Sequence, residues 1–323
     1  MTFIHIWDLP VNEFSVKLNK IYLKKTIIEI KKNFKSIKEF SEAIKKECNS
    51  FNKNTTESSS ERVYEILKNK FYIPLDFLLA LNKLLKLKLG EIEANITLLA
   101  DKKLAKRPIK IRFPFKINEQ FSKICEIIRT EGYLSREFQI TLSNSDTRII
   151  NKFIRMFKIF SIRKKDFYFR LYTKIAVPKY LKKEDIQVFD AGGRKVKFYL
   201  RDKLLKLGKK KEVHILDPNF NLDNQRYKII TKQQIIECRV WINKTGNIKT
   251  GSSYQNIGKN STSSLCVSIH NQAIGKLLNY IGEIPTGRKS KIIRLPKYIL
   301  LGSREIIVAA FEEAINCDGC VEK

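Results

Sequence analysis

Two segments of the chain end an apolar helical pattern with an acid that is followed at once by glycine. They are ICEIIRTEG at 124–132 and FEEAINCDG at 311–319, so the two acids are Glu131 and Asp318. The helix dipole disfavours a carboxylate at a helix C-terminus. Two such acids side by side form an oxygen site of the kind that Mg²⁺ prefers, and the glycine lets the chain turn sharply. The pattern predicts a divalent-cation site, with two unrelated glycine-capped helix ends as the alternative.

Three further pieces of sequence lie between these two segments. They are ITLSNSD at 140–146, SIHNQAIGKLLNYIG at 268–282 and GRKSKIIRLPKYIL at 287–300, the last leading into the second acid segment. In this order the pieces resemble the LAGLIDADG homing endonuclease family. The resemblance is clearest over 107–160 and 265–321 and does not extend over most of the intervening chain.

The resemblance implies both a fold and an activity. The two motif helices would pack against each other, and an αββαββα unit would lay a saddle-shaped sheet along the major groove of double-stranded DNA. Glu131 and Asp318 would reach the scissile phosphates and hold Mg²⁺ or another divalent cation, and Lys289 would assist as the nearby basic residue. The implied activity is phosphodiester hydrolysis, in which the metal activates water and stabilises the leaving oxygen.

The same resemblance implies which side chains contact DNA. Strand side chains would read base edges, and Arg and Lys would hold phosphates. The candidates are Arg136, Gln139, Thr141, Arg288, Lys291 and Arg294.

The chain departs from the family pattern in two places. Glu126, Glu312 and Glu313 stand where the family has small residues on the helix faces that touch. Buried carboxylates are costly without partners, so either Lys and Arg side chains pair with them or the helices sit further apart. In addition, Lys323 follows Asp318 by five residues (323 − 318). We therefore expect a truncated second domain, or a partner half supplied by another chain.

The overall charge points to an acidic partner. The 323 residues include 63 Lys and Arg against 33 Asp and Glu, which gives a formal net charge of +30. A nucleic acid relieves the self-repulsion of such a chain and adds counterion release to the binding free energy. Lysine enrichment without any function is the alternative. The 43% of hydrophobic residues suffices for buried cores and argues against disorder.

Other composition features exclude some classes of protein. No stretch approaches about 20 apolar residues, and MTFIHIWDLPVNEF lacks the basic and apolar regions of a signal peptide. We therefore expect a cytoplasmic protein without a membrane partner. The six Cys residues show no paired framework, and the Cys317–Cys320 pair lacks further ligands nearby, so reduced thiols are predicted rather than a zinc site.

The pattern of helices and strands predicts a mixed α+β fold in three parts. Residues 1–106 are predicted to form a small all-α module, residues 107–302 the first LAGLIDADG-type domain, and residues 303–323 the second motif helix. Within the module, FSVKLNKIYLKKTIIEIKKNF is predicted to be a basic helix. SIKEFSEAI, with Ser36 as cap, is predicted to support a helix-turn-helix, with a plain helical bundle as the alternative. Residues 182–262 are predicted to be an insertion of hairpins with a mobile loop.

These observations leave three hypotheses about function. The leading one is a site-specific, metal-dependent DNA endonuclease, either active or a degenerate derivative. The second is a DNA-binding transcription regulator that keeps the scaffold without cutting. The third is an RNA maturase, in which the same basic surface assists intron folding. All three predict that binding weakens steeply as salt rises, because phosphate contacts dominate the affinity.

Overall fold

The chain forms a mixed α+β structure of helices and antiparallel sheets. The computed structural model describes residues 3–48, 59–103, 107–144, 147–163, 166–173, 186–189, 194–195, 197–205, 208–215, 226–231, 235–242, 248–252, 264–287 and 296–318. Buried apolar side chains from both the first hundred residues and the rest of the described chain join into one connected core.

The N-terminal module (residues 3–103) combines helices with a small sheet. Its elements are β1 Phe3–Ile4, β2 Phe14–Leu18, α1 Lys20–Asn33, α2 Ile37–Glu47, α3 Ser59–Leu67, β3 Ile73–Pro74, α4 Leu75–Leu85, α5 Leu89–Ala94 and β4 Ile96–Asp101. Strands β3, β2 and β4 form a three-stranded antiparallel sheet in that order. The prediction of an all-α module is therefore wrong.

The error lies in the segment that opens with FSVKL. Phe14, Val16 and Leu18 alternate as a strand requires, and all three are buried in β2. The helix begins only at Lys20, because the Asn19 side chain accepts a hydrogen bond of 2.8 Å from the Ile21 amide and caps it. The predicted basic helix is correct from that residue onward.

Helix α2 begins as the sequence predicts. The Ser36 hydroxyl accepts a hydrogen bond from the Glu39 amide at 3.1 Å, and Phe40 and Ile44 are fully buried. Helix α2 packs against α3 and α4. Residues 49–58, where the helix-turn-helix prediction needs its turn, lie outside the described residues.

A buried ionic contact joins the module to the rest of the molecule. The Lys276 ammonium group pairs with Asp101 at 2.5 Å and also contacts Glu13, and its side chain is almost fully buried. Burial lowers the pKa of Lys276, but the hydrogen bonds to Asp101 and Glu13 outweigh this and raise it. The β1 strand adds a second link by pairing with β5, Phe115–Lys116.

The central unit (residues 119–280) begins with the first motif helix. Its elements are α6 Glu119–Thr130, β6 Gly132–Leu134, β7 Ile140–Asn144, α7 Thr147–Met156, β8 Phe167–Thr173, β15 Ser264–Ile269 and α8 Gln272–Tyr280. The order of these elements is αββαββα, and the strands lie antiparallel in the order β6-β7-β15-β8. The predicted strands at FQITLSN and KDFYFRLYT and the helix at DTRIINKFIRMF are confirmed.

The chain between β8 and β15 forms hairpins, as predicted. The strands are β9 Ile186–Phe189, β10 Phe198–Leu205, β11 Gly208–Ile215, β12 Arg226–Thr231, β13 Ile235–Ile242 and β14 Ile248–Ser252. The β10–β11 hairpin extends the sheet beyond β8, and the other four strands form a second sheet in the order β14-β13-β12-β9. The predicted mobile loop has no defined bounds within 182–262, and residues 216–225, 243–247 and 253–262 of this part lie outside the described residues.

Two helices follow the central unit. They are the short α9, Lys297–Leu300, and the second motif helix α10, Arg304–Asp318. Ser303 immediately precedes α10, and its carbonyl accepts a hydrogen bond of 3.1 Å from the Ile307 amide.

Candidate metal centre and nucleic-acid surface

The two motif helices, α6 and α10, pack side by side and run in the same direction. Near their starts, the Ser122 hydroxyl of α6 donates a hydrogen bond of 3.1 Å to the Ile306 carbonyl of α10. Near their ends, the Cys317 side chain of α10 lies beside Thr130 of α6, while its thiol donates a hydrogen bond of 3.8 Å to Glu313 Oε1 within α10. A parallel arrangement follows, so the ends that carry Glu131 and Asp318 lie at the same end of the pair.

The buried side of α10 is suited to close helix contact. Ile306, Ala309, Ala310 and Glu313 are buried there. The distance between packed helices depends on the side chains at the contact, and alanine permits a short one. Two small residues are therefore among the buried residues of α10.

Glu131 occupies a defined position at the end of α6. It is the C-cap residue, its amide donates to the Ile127 carbonyl at 3.1 Å, and its side chain is half-buried. The Asn144 side-chain amide, at the end of β7, donates a hydrogen bond of 3.0 Å to Glu131 Oε2. Asn144 therefore limits the orientations of this carboxylate.

The glycine after Glu131 has a steric role. A Cβ atom at Gly132 would lie 2.7 Å from the Ile128 Cα atom, which is closer than such atoms approach. Glycine thus lets β6 start directly against the last turn of α6. The predicted sharp connection is present, and its cause is this close approach.

Asp318 is the last residue of α10, and its side chain and Gly319 lie outside the described part of the chain. The neighbouring Cys317 is described: burial raises the pKa of its thiol to about 11, although the nearby Thr130 side chain lowers it in part. The thiol is therefore protonated at neutral pH and adds no charge next to Glu131. Within the described ranges, no group of three or more His, Cys, Asp and Glu side chains could hold a metal ion.

Glu126, the first carboxylate at a motif packing position, is neutralised within α6. The Arg129 guanidinium donates to Glu126 Oε1 at 2.6 Å and to the Gly282 carbonyl at 2.6 Å, and both side chains are buried. The Tyr298 hydroxyl lies 3.5 Å from the same carboxylate oxygen. Burial raises the pKa of Glu126, while Arg129 and the Tyr298 bond lower it in part, so the net shift is upward.

The two carboxylates of α10 also have cationic partners. Glu313 is 1% exposed and pairs with the Lys152 ammonium group of α7. The more exposed Glu312 lies 3.5 Å from Lys123 of α6. Of the two arrangements that the sequence allowed, ion pairing is the one observed, and the helices remain in direct contact.

Three predicted DNA-contacting residues lie on or next to the outer face of the sheet. Ile140 and Leu142 of β7 are buried on its helix side, so the half-buried Thr141 lies on the opposite face, paired with Tyr133 of β6. Tyr133 is 43% exposed. Arg136 and Gln139 lie in the β6–β7 connection; Arg136 is exposed and Gln139 is half-buried.

The four remaining predicted residues belong to the segment after Gly287. The Gly287 amide donates to the Leu134 carbonyl at 2.8 Å, which puts Gly287 beside β6 and next to the Arg136 side chain. These four residues lie outside the described part of the chain: Arg288, Lys289, Lys291 and Arg294.

Sequence reasoning missed the partners of the motif carboxylates. The i, i+3 spacing of Glu126 and Arg129 is a recognisable helical pair, and this signal was available in the sequence. Asn144 belongs to the predicted ITLSNSD strand, but nothing local links it to Glu131. Lys152 and Tyr298 come from other elements and carry no local signal.

Comparison of the chain with protein-family models, with curated proteins and with solved structures finds no match. Among the residues that the structure describes, no helix has both the length and the apolar character needed to cross a membrane.

Proposed function

We propose that this chain is a DNA-binding protein of the LAGLIDADG endonuclease type, with metal-dependent phosphodiester hydrolysis as its activity. The observation that carries the proposal is the parallel contact of α6 and α10, which brings the ends bearing Glu131 and Asp318 together. The αββαββα order and the strand order β6-β7-β15-β8 support the saddle-shaped unit that the sequence resemblance implies.

The proposed cation site consists of the Glu131 and Asp318 carboxylates. Their oxygen atoms are the ligand type that Mg²⁺ prefers. Asn144 holds the Glu131 carboxylate through a bond of 3.0 Å, as an outer partner of a metal ligand does. When bound, Mg²⁺ supplies activation of water and stabilisation of the leaving oxygen. The Cys317 thiol is neutral, so the carboxylates carry the negative charge of the proposed site.

The proposed DNA surface is the outer face of the sheet together with the chain after Gly287. Thr141 and Gln139 would contact base edges, Arg136 would hold phosphate, and Lys289 would assist the reaction. Arg288, Lys291 and Arg294 would complete the basic surface. The net charge of +30 supports a polyanionic partner.

The test combines selection and cutting. The chain is used to enrich sites from randomised duplex DNA, and the enriched pool is then incubated with Mg²⁺ or with EDTA before the ends are sequenced. We expect breaks at one preferred site with Mg²⁺. Glu131→Gln and Asp318→Asn should each slow cutting at least about 100-fold while binding remains, because a metal site contributes several kcal/mol to such reactions.

Glu119→Gln is the matched control, because it removes the same charge from the other, exposed end of α6. Cutting that survives Glu131→Gln would mean that the acid end of the helix pair is not the active site. An enriched site that stays intact would favour the transcription regulator. RNA that outcompetes DNA at matched salt would favour the maturase.

A further inference from the structure

A cavity of about 730 Å³ lies where the N-terminal module meets the end of the sheet, away from Glu131. Its walls come from β4, the start of the connecting segment 107–117, the residues before and at the start of β8, and the end of β15 with the two residues after it. We call it the Arg107 cavity. Its volume lies within the range of small-molecule binding pockets in proteins.

One wall of the Arg107 cavity is aromatic. The rings of Tyr168 and His270 lie with their centroids 4.6 Å apart and their planes inclined by 33°. Both side chains are half-buried, so part of each ring contributes to the cavity surface. Flat, partly exposed rings of this kind stack with unpaired nucleobases in proteins that bind single-stranded nucleic acid.

Arg107 is held in place against this aromatic wall. Its guanidinium donates to the Tyr168 hydroxyl at 2.6 Å and to the His270 carbonyl at 3.1 Å, and lies 5.5 Å from the Tyr168 ring centroid. The side chain is nevertheless exposed. An arginine ordered before any ligand binds loses less conformational entropy on binding, and its planar fork suits phosphate.

The cavity has an excess of positive charge. Besides Arg107, its lining includes Lys110 and Arg163, against one acid, Asp166. Asp166 is already engaged, since it accepts from the Arg163 amide at 2.8 Å and lies 3.6 Å from the Arg163 guanidinium. Arg107 and Lys110 therefore give the cavity a positive charge, and this charge favours an anionic ligand.

A row of cations leads away from the cavity along the connecting segment. Lys110, Arg112 and Lys116 are exposed, and we call them the basic strip. They alternate with buried apolar residues, namely Ile109, Ile111, Phe113, Phe115 and Ile117. In extended chain, alternate residues lie about 6.6 Å apart, so Lys110 and Arg112 can contact neighbouring groups of one polyanion. Backbone bonds between Ile109 and Leu99 fix the start of the segment.

We propose that the Arg107 cavity binds an unpaired nucleotide. The base stacks on Tyr168 and His270, the phosphate binds Arg107 and Lys110, and the basic strip binds the adjoining backbone. The shared chemistry of a base beside a phosphate fits either a nucleotide within a single strand or a free nucleotide. The proposal goes beyond the endonuclease activity, which needs only duplex DNA, and does not depend on it.

Fluorescence anisotropy with a labelled single-stranded oligonucleotide and its duplex tests the proposal. His270→Ala should weaken single-strand binding about tenfold, as loss of one stacking contact does, and leave duplex binding unchanged. Arg107→Gln should lower the slope of log affinity against log salt by about 0.7, the loss of one phosphate contact on a single strand. Lys25→Gln, an exposed lysine of α1, is the control for charge.

A purely structural role for Arg107 gives a different result. The Asn271 side chain donates to the Arg107 carbonyl at 3.0 Å, so this residue also fastens the connecting segment to the sheet. If that were its whole role, Arg107→Gln would lower the melting temperature while single-strand affinity stayed at the Lys25→Gln value. His270→Ala tests the stacking contact separately, because it changes single-strand affinity without removing the charge of Arg107.

Competitors distinguish the two sources of the nucleotide. A nucleoside monophosphate that displaces the oligonucleotide from the wild type, but not from His270→Ala, would mean that a free nucleotide suffices. Displacement by longer strands without displacement by the monophosphate would mean that the strip is needed. Inorganic phosphate as effective as the monophosphate, or equal losses for single strand and duplex in the variants, would overturn the proposal. Cutting is not a readout, so failure of the endonuclease proposal leaves this test intact.

Discussion

The two motif helices have the same kind of sequence but very different surroundings. In α6 the buried residues occupy most of the helix surface: Phe121, Ser122, Ile124, Cys125, Glu126, Ile127, Ile128 and Arg129. In α10 burial is confined largely to the side that faces α6, and Val308, Phe311 and Ile315 are 44%, 53% and 48% exposed. Helix α6 packs against α10, α7, β6 and β7, whereas α10 packs mainly against α6 and α9 and contacts α7 through the Glu313–Lys152 ion pair.

Among the described residues, α6 is therefore packed over most of its surface, whereas α10 is packed mainly on one side. An apolar pattern in sequence predicts both helices equally well, but the free energy that each residue contributes depends on what covers it. We therefore expect equivalent substitutions in α6 and α10 to have unequal effects on stability, and two comparisons measure this.

The largest difference should come from removing one phenylalanine from each helix. Phe121 is fully buried in α6, at centroid distances of 5.3 Å from Phe115 and 6.0 Å from Tyr298. Phe121→Ala should lower the free energy of unfolding by about 4 kcal/mol, through lost burial and a remaining void. Phe311→Ala should change it by less than about 0.5 kcal/mol. Urea denaturation followed by circular dichroism measures both, and similar losses would mean that α10 is covered in solution.

A second comparison sets a buried ion pair against an exposed one. Arg129→Met leaves the Glu126 carboxylate buried without its cation, and we expect a loss of about 3 kcal/mol. Lys123→Met removes the partner of Glu312, whose side chain is 59% exposed, and should cost at most about 1 kcal/mol. The same denaturation experiment applies. An Arg129→Met protein as stable as Lys123→Met would mean that water reaches Glu126.

The smallest effect concerns pH. Because burial raises the folded-state pKa of Glu126 above its ordinary value, the folded protein holds this proton more tightly than the unfolded chain. That contribution to stability is present below the unfolded pKa and is lost as pH rises through the folded pKa. A glutamine side chain cannot titrate, so Glu126→Gln should gain stability relative to wild type as pH rises. A gap in unfolding free energy that stays constant with pH would contradict the upward shift.

Several elements could be predicted because their signals are local. The cap at Ser36 and the apolar spacing of α6 and α7 depend on residues within a few positions of one another. The prediction for FSVKL was wrong because the apolar pattern of five residues fits both a strand and a helix turn. Asn19, which caps the helix, follows this segment. The strand forms because β2 pairs with β3 and β4, which lie far from it in sequence.

The two candidate sites also contain both residues with a local sequence signal and residues without one. The Glu131 end of α6 is visible in sequence, whereas its partner Asn144 depends on how β6 and β7 fold together. The Arg107 cavity had no sequence signal, because Tyr168 and the His270 carbonyl lie 61 and 163 residues from Arg107. Tertiary structure brings those three together, and no spacing rule along the chain anticipates it.

For the proposed DNA binding, the buried Lys276 contact with Asp101 and Glu13 has a consequence for the length of the target. Bending at this contact would expose or separate three charged groups, so the contact opposes movement of the module against the sheet. A duplex that touches both must present its two contact regions at a constant helical phase. Inserting about five base pairs, half a helical turn, between those regions would move one of them to the far side of the DNA. The spacing within the target would then matter as much as the bases themselves.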